Sequence, residues 1–180
     1  HIKTFVDVGA NTGIYCLSAA NYRELKVFAF EPQEDCVQDL LKTKELNNWT
    51  NLVIENYAIS DSKSLLKLYR DGSSTGTTYV PNENNYITAK TVGLDDYFKD
   101  TKVDFIKIDV EGMALEVIAG ARKTLDRFKP PMWIEVIPRF GEVAPATEAL
   151  KEIGYELAYR FGRTDYLFHH KDNKIKAAPQ

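Results

Sequence analysis

Short apolar runs alternate with amphipathic stretches along most of the chain. Thr4 to Val8, Lys26 to Phe30 and Leu52 to Ala58 are β-prone runs bounded by Gly, Pro or Asn. After the first, Asn11 or Thr12 is placed to cap a helix running to about Tyr22, with Ile14, Leu17 and Ser18 inward. After the second, Pro32 opens a helix in its first turn, with an apolar stripe of Val37, Leu40 and Leu41 that stops near Asn47 and Asn48. Val103 to Val110 is a buried strand, and Met113 to Phe128 is a helix carrying Ala114, Val117, Ile118, Ala121, Leu125 and Phe128 at helical spacing. Pro130 and Pro131 end it. Met132 to Ile137 is the next strand, Ala146 to Ile153 a helix, and Gly154 turns into a closing hairpin of Tyr155 to Phe161 and Asp165 to His169.

The middle of the chain breaks this rhythm. Ser64 to Tyr69 and Ile87 to Val92 read as an antiparallel pair, joined by a long polar segment from Asp71 to Tyr86. A connection of that length is either a binding loop or a surface insertion. Strand and helix alternation elsewhere predicts an α/β domain with a mostly parallel twisted sheet, helices on both faces and a C-terminal antiparallel hairpin. There is no internal repeat and no linker, so residues 1–170 are expected to form one domain, with 171–180 a loose tail.

Composition sets limits on partners. Of 180 residues, 44% are hydrophobic and 27% charged, as in ordinary globular domains. The net charge of −3 and pI near 5.7 supply no global field for gripping nucleic acid or an anionic membrane, so neither is expected as a partner. Cys16 and Cys36 are two lone thiols in helical segments, which makes a reducing, cytoplasmic setting the expectation. No apolar run reaches the length of a membrane span. The first strand starts at Thr4, which suggests a chain cut from a longer polypeptide, with fusion to other domains, or one lacking an N-terminal extension.

The first chemical signal is Asp7-Val8-Gly9-Ala10-Asn11-Thr12-Gly13, after a strand and before a helix. Small residues there allow a ligand to lie against backbone at the start of the helix. Glu31 ends the second strand, 18 residues after Gly13, where a carboxylate can accept both hydroxyls of a ribose. Together they describe a nucleoside site. A dinucleotide site uses the fuller G-x-G-x-x-G run, so that backbone amides approach a pyrophosphate. Here the spacing is G-x-x-x-G, and Asp7 would repel phosphate but suit an ammonium group. That points to S-adenosylmethionine, which carries no phosphate. The bland alternative is that Gly9 and Gly13 only permit a tight turn.

Acids also cluster past the buried fourth run. Asp109 and Glu111 lie beyond the carboxyl end of Val103 to Ile108, the edge at which open α/β sheets bind ligands. In an extended chain they point the same way, with Val110 opposite. Either acid also suits the start of the following helix. Lys107 is a charge inside the strand, either satisfied there or orienting an acid. Glu135 sits amid apolar neighbours in the next strand, facing the same edge as Asp109 or bridged on the sheet. The three histidines form no ligand cluster, and His169 and His170 read as surface.

These residues resemble the FkbM family of S-adenosylmethionine-dependent methyltransferases. The likeness is carried in order by Val6 to Tyr15, Phe30-Glu31-Pro32, Asn56 to Asp61, Val92 to Tyr97, Asp104 to Gly112 and Glu116 to Ala121. It implies a Rossmann-like class I methyltransferase fold and methyl transfer to a hydroxyl, with sugars and other natural products among the family's acceptors. Met113 stands where many relatives carry a further acid. On this reading Asp7 receives the methionyl ammonium and Gly9 and Gly13 admit the cofactor. Asn11 and Thr12 donate to its carboxylate or cap the helix. Glu31 holds the ribose or charges the helix that follows it. Ala58 and Ile59 flank the adenine or belong to the core, and Tyr15 lines the site or packs on the sheet. Ala10, Pro32 and Asp109 complete the cofactor-binding set. Transfer is an in-line displacement that needs alignment and a base, for which Asp109 comes first and Glu111 and Glu135 follow. A magnesium-like ion on Asp109 and Glu135 is the second route. A nicotinamide oxidoreductase and a non-catalytic nucleotide-binding module are the competing functions. The segments Asp71 to Tyr86 and Pro138 to Pro145 are expected to shape the acceptor pocket.

Overall fold

The computed structural model describes residues 2–71, 74–76 and 85–175, so most of the Asp71 to Tyr86 segment lies outside the described residues. The first half runs β1 (Thr4–Val8), α1 (Ile14–Ala20), β2 (Lys26–Phe30), α2 (Glu34–Leu46), β3 (Leu52–Glu55) and β4 (Ala58–Ile59). The middle holds β5 (Leu65–Asp71), β6 (Ser74–Gly76), β7 (Tyr86–Val92) and α3 (Leu94–Tyr97). The rest is β8 (Phe105–Ile108), α4 (Ala114–Gly120), α5 (Arg122–Phe128), β9 (Met132–Glu135), α6 (Val143–Glu152), β10 (Tyr155–Phe161) and β11 (Asp165–His170).

Among the described residues the main sheet has the order β10-β11-β9-β8-β1-β2-β3. Its five strands from β9 to β3 are parallel, and β11 joins β9 antiparallel before pairing with β10. This is the expected α/β fold with its closing hairpin. The order runs outward in both directions from β1, so the topological switch point lies between β1 and β8, at their carboxyl ends.

Uninterrupted apolar runs suit strands covered on both faces. On one face Val27, Ala29 and Leu52 pack with Cys16 and Ala20 of α1 and Leu40 of α2. On the other, Val6, Phe28, Phe30, Ile106, Ile108 and Ile134 pack with Ala114, Val117, Ile118, Leu125, Ala146 and Leu150. A second, smaller sheet has the order β4-β7-β5-β6, and β5 pairs antiparallel with β7 as expected.

Several elements depart from the sequence reading for identifiable reasons. Helix α1 starts after Gly13, which is left-handed at φ 90 and acts as its cap without a side-chain bond. That resets the helical phase: Cys16 and Ala20 face inward, Ile14 is 71% exposed and Ser18 is exposed. Pro32 precedes the Gln33 cap of α2 rather than lying in its first turn, and Leu41 of its stripe is exposed. The third strand breaks because the Asn56 side chain donates to the carbonyls of Glu31 and Pro32, turning the chain so that Ala58 and Ile59 pair with β7. The long helix from Met113 divides at Ala121, after Gly120. A Cβ on Gly120 would meet the Ser60 carbonyl at 1.9 Å, so the chain after β4 crosses directly over this turn. His170 is buried, edge-on to Tyr155, not at the surface. Residues 171–175 return to the fold: Lys171 N–H donates to the Gly154 carbonyl, and the Asn173 side chain to that of Lys129.

Candidate active site

The loop after β1 and the loop after β8 meet at the switch point. Gly9 N–H donates to the Phe30 carbonyl at 3.0 Å, and Asp109 N–H to that of Val8 at 2.9 Å. Gly9 is left-handed at φ 79, and a Cβ there would stand 1.8 Å from the Asp109 carbonyl oxygen. Its glycine is therefore demanded by the approach of the neighbouring chain. Gly13 is demanded by packing, since a Cβ would stand 2.4 Å from Leu40 and 2.7 Å from Leu17.

A cleft opens over these loops. Glu31 is buried on its wall, held by Asn11 N–H on Oε2 at 2.7 Å and Gln33 N–H on Oε1 at 2.8 Å. Asn11 reaches Glu31 by adopting a left-handed φ of 48. Burial pushes the Glu31 carboxyl above the usual range, and the two amides pull it back. The Gln33 side chain also donates to this carboxylate, which leaves one of its four lone-pair sites for a further donor. Apolar walls come from Ala58, Ile59 and, beyond the expected set, Tyr57, Leu68 and Met113. Leu68 arrives from the second sheet, which no local sequence pattern announces. Pro32 and Gln33 close the end beside Glu31.

Asp109, Glu111 and Glu135 all border the same cleft. The expected alternation about Val110 fails, because the chain leaves the strand at Ile108 and Glu111 and Gly112 are left-handed, at φ 44 and 88. Val110 lines the cleft with them. At the start of α4 the Ala114 N–H donates to Glu142 of the 138–145 segment at 2.9 Å, and that segment walls neither this cleft nor the one described next.

A second cavity shares Gly9, Asn11 and Asp109 with the cleft and adds Ala10, Thr12, Ile14, Tyr15 and Lys107. Lys107 is 4% exposed. Its ammonium lies 2.8 Å from Asp109 Oδ2 and 3.9 Å from Asp7 Oδ1, and 4.4 Å over the Tyr15 ring. Asp7 borders neither cavity. It is fully buried beneath the loop, where Oδ2 accepts the Cys16 N–H at 2.9 Å. Burial raises its carboxyl to about 6, with Lys107 opposing. Its direct neighbour is thus the lysine, and Asp109, not Asp7, borders both cavities.

Glu135 is raised to about 8, first by its hydrogen bond with Asp109, then by burial and the nearby charges of Asp109, Asp165 and Glu111. Glu135 thus holds its proton at neutral pH beside Asp109, whose Oδ2 also accepts from the Lys107 ammonium. This donor set does not fit a divalent ion. Among the described residues no group of three or more His, Cys, Asp or Glu is arranged to hold a metal.

This cleft fits the cofactor that the glycine loop and Glu31 suggest. Its described lining carries four acidic side chains, Glu31, Asp109, Glu111 and Glu135, the last holding its proton at neutral pH, and no Lys, Arg or His. Such a wall repels a pyrophosphate and attracts a cation.

Comparison with known proteins agrees with this geometry. Residues 7–161 match the methyltransferase FkbM domain. Hexuronic acid methyltransferase AglP of Haloferax volcanii is 29% identical over 125 residues, covering 66% of this chain and 50% of that protein. Methyltransferase FkbM from Methylobacillus flagellatus superposes with a TM-score of 0.72 at 19% identity, over 94% of this chain and 44% of that one. The N-terminal domain of human METTL16, solved with SAH, superposes at 0.54 with 17% identity, over 94% of this chain and 62% of that one. The chain spans about half the length of the curated relatives it matches, 50% and 59%. Among the described residues no helix is long and apolar enough to cross a membrane.

Proposed function

The chain belongs to the FkbM methyltransferase domain family, and from that premise we propose that it is an S-adenosylmethionine-dependent O-methyltransferase acting on a sugar hydroxyl. The observation that carries the reading is the lining of the cleft: four acidic side chains, of which Glu135 holds its proton at neutral pH, without a cationic side chain among the described residues. It supports a positively charged, phosphate-free nucleoside and counts against a nicotinamide dinucleotide. The name of the Haloferax volcanii relative, a hexuronic acid methyltransferase, supports a sugar acceptor.

When bound, S-adenosylmethionine supplies a methyl group on a sulfonium sulfur. Glu31 accepts a ribose hydroxyl on the lone-pair site that Asn11 and Gln33 leave open, and Tyr57, Ala58, Ile59, Leu68 and Met113 enclose the adenine. Asp109 takes the proton of the acceptor hydroxyl. Lys107 fixes the Asp109 carboxylate, and Asp7 fixes Lys107 from behind. Glu135 regulates whether the acid pair is free to accept that proton.

Thermal unfolding tests the cofactor directly. SAH is expected to raise Tm and NAD to leave it unchanged; stabilisation by NAD alone would reverse the assignment. Glu31→Gln is expected to weaken SAH by about 10- to 100-fold in calorimetry, the loss of a charged hydrogen-bond acceptor.

Glu135 predicts the pH dependence. Its carboxyl keeps its proton up to about 8, so kcat/KM rises with pH along a limb centred near that value. Glu135→Gln removes the limb. Stability moves the other way. The folded chain holds this proton to about 8 and the unfolded chain only to the usual 4.5, so stability from this group is lost as pH rises through that window. The gain in Tm from Glu135→Gln should therefore be larger at pH 9 than at pH 5. Equal gains at both would remove the acid pair.

A further inference from the structure

Helices α4 to α6 cover one face of the β8-β9-β11-β10 half of the sheet; the opposite face carries side chains that the core does not use, Glu135 among them bordering the cleft. Cross-strand register places Trp133, Leu167 and Tyr159 in one row and Glu135, Asp165 and Phe161 in the next. Directly opposed residues share a face, so both rows point the same way. Tyr15 of α1 reaches their inner end. Its ring lies 5.7 Å from Trp133, Trp133 lies 5.5 Å from Phe161, and Phe161 lies 6.3 Å from Tyr159. The strip faces solvent, with Tyr15 37%, Phe161 47% and Tyr159 45% exposed.

The strip is continuous with the site. Tyr15 and Asp109 border the same cavity, and Glu135, hydrogen-bonded to Asp109, belongs to the outer row. It is also not simply apolar. Trp133 Nε1 donates to Asp165 Oδ1 at 2.9 Å, which fixes both the indole and a carboxylate at its rim. An apolar partner laid here would strip water from Asp165 and Glu135 with nothing in return. A pyranose fits both components: its C–H face rests on an aromatic ring while its hydroxyls donate to the flanking carboxylates.

Resting on the methyl-transfer reading above, we propose that Tyr15, Trp133, Phe161 and Tyr159 form the acceptor platform. It takes a short sugar chain whose reacting ring sits at Asp109. Three strand spacings separate β8 from β10, about 14 Å, so the platform holds an oligosaccharide rather than one ring.

Trp133 reports on this directly. The other tryptophan, Trp49, is buried beside Leu40 and Leu52, away from the site, and Trp49→Phe leaves Trp133 as the only indole. With SAH present, this protein is titrated with methyl glycosides of glucose, galactose, mannose and glucuronic acid, and with a linear trisaccharide of each. A saturable change in emission is expected for at least one sugar, tighter by tenfold or more for its trisaccharide. Phe161→Ala should weaken both forms at least tenfold, Tyr159→Ala only the trisaccharide, and neither should change SAH affinity. The assignment is overturned if no sugar alters the emission, if Phe161→Ala leaves binding unchanged, or if SAH affinity falls in step with sugar affinity. Absence of SAH binding in the parent protein would instead overturn the cofactor reading.

Discussion

Asp109→Asn is expected to lower kcat by about 10²–10⁴-fold, the range lost with a general base, while SAH binds within a few-fold of its normal affinity. Asparagine keeps the shape and can still accept from Lys107, whose ammonium lies 2.8 Å away, so the loop should stay in place. What disappears is the proton acceptor beside the hydroxyl. The change also frees Glu135 from its principal partner, so the limb near pH 8 should move toward the ordinary carboxylate range. Single-turnover methyl transfer with calorimetry of SAH separates the two effects. Turnover near the parent rate would remove Asp109 from the chemistry and pass the role to Glu111 or Glu135.

The second large effect is structural. Gly9→Ala adds a carbon 1.8 Å from a main-chain carbonyl, at a φ of 79 that side chains disfavour. Left-handed strain costs about 1–2 kcal/mol, and the clash can be relieved only by moving backbone. A total of about 3 kcal/mol or more is expected, a fall in Tm of about 6–12 °C in a chain of this size. Gly162→Ala is the control, because its φ of 63 imposes similar strain with nothing within 4 Å. If the two substitutions cost the same, the contact with Asp109 is not what Gly9 serves. Because the displaced carbonyl belongs to Asp109, the surviving folded protein should also turn over slowly.

Much of this arrangement can be read from residue order. β1, β2 and β10 run between the expected residues, since each is an apolar or β-prone run with clear breakers. Motif or edge position marks the glycine loop, Glu31, Ala58, Ile59, Asp109, Glu111 and Glu135, and Gly9 with each of these acids and apolar residues borders the first cleft. What escapes the sequence depends on contacts between distant segments. The phase of α1 is set by the left-handed Gly13, the break after Glu55 by an asparagine side chain seeking the carbonyls of Glu31 and Pro32, and the outlook of Asp7 by the lysine that arrives 100 residues later. Periodicity records which residues are apolar, not which chain passes over them.

The turn at Asn56 has one more effect. It hands Ala58 and Ile59, the pair proposed to face the adenine, to the second sheet, so the two halves of the cleft wall hang from different scaffolds. Loosening the β5–β7 hairpin should therefore surface as poorer cofactor retention at an unaltered rate of chemistry. Tampering with the β1–β8 seam should damage catalysis and retention together.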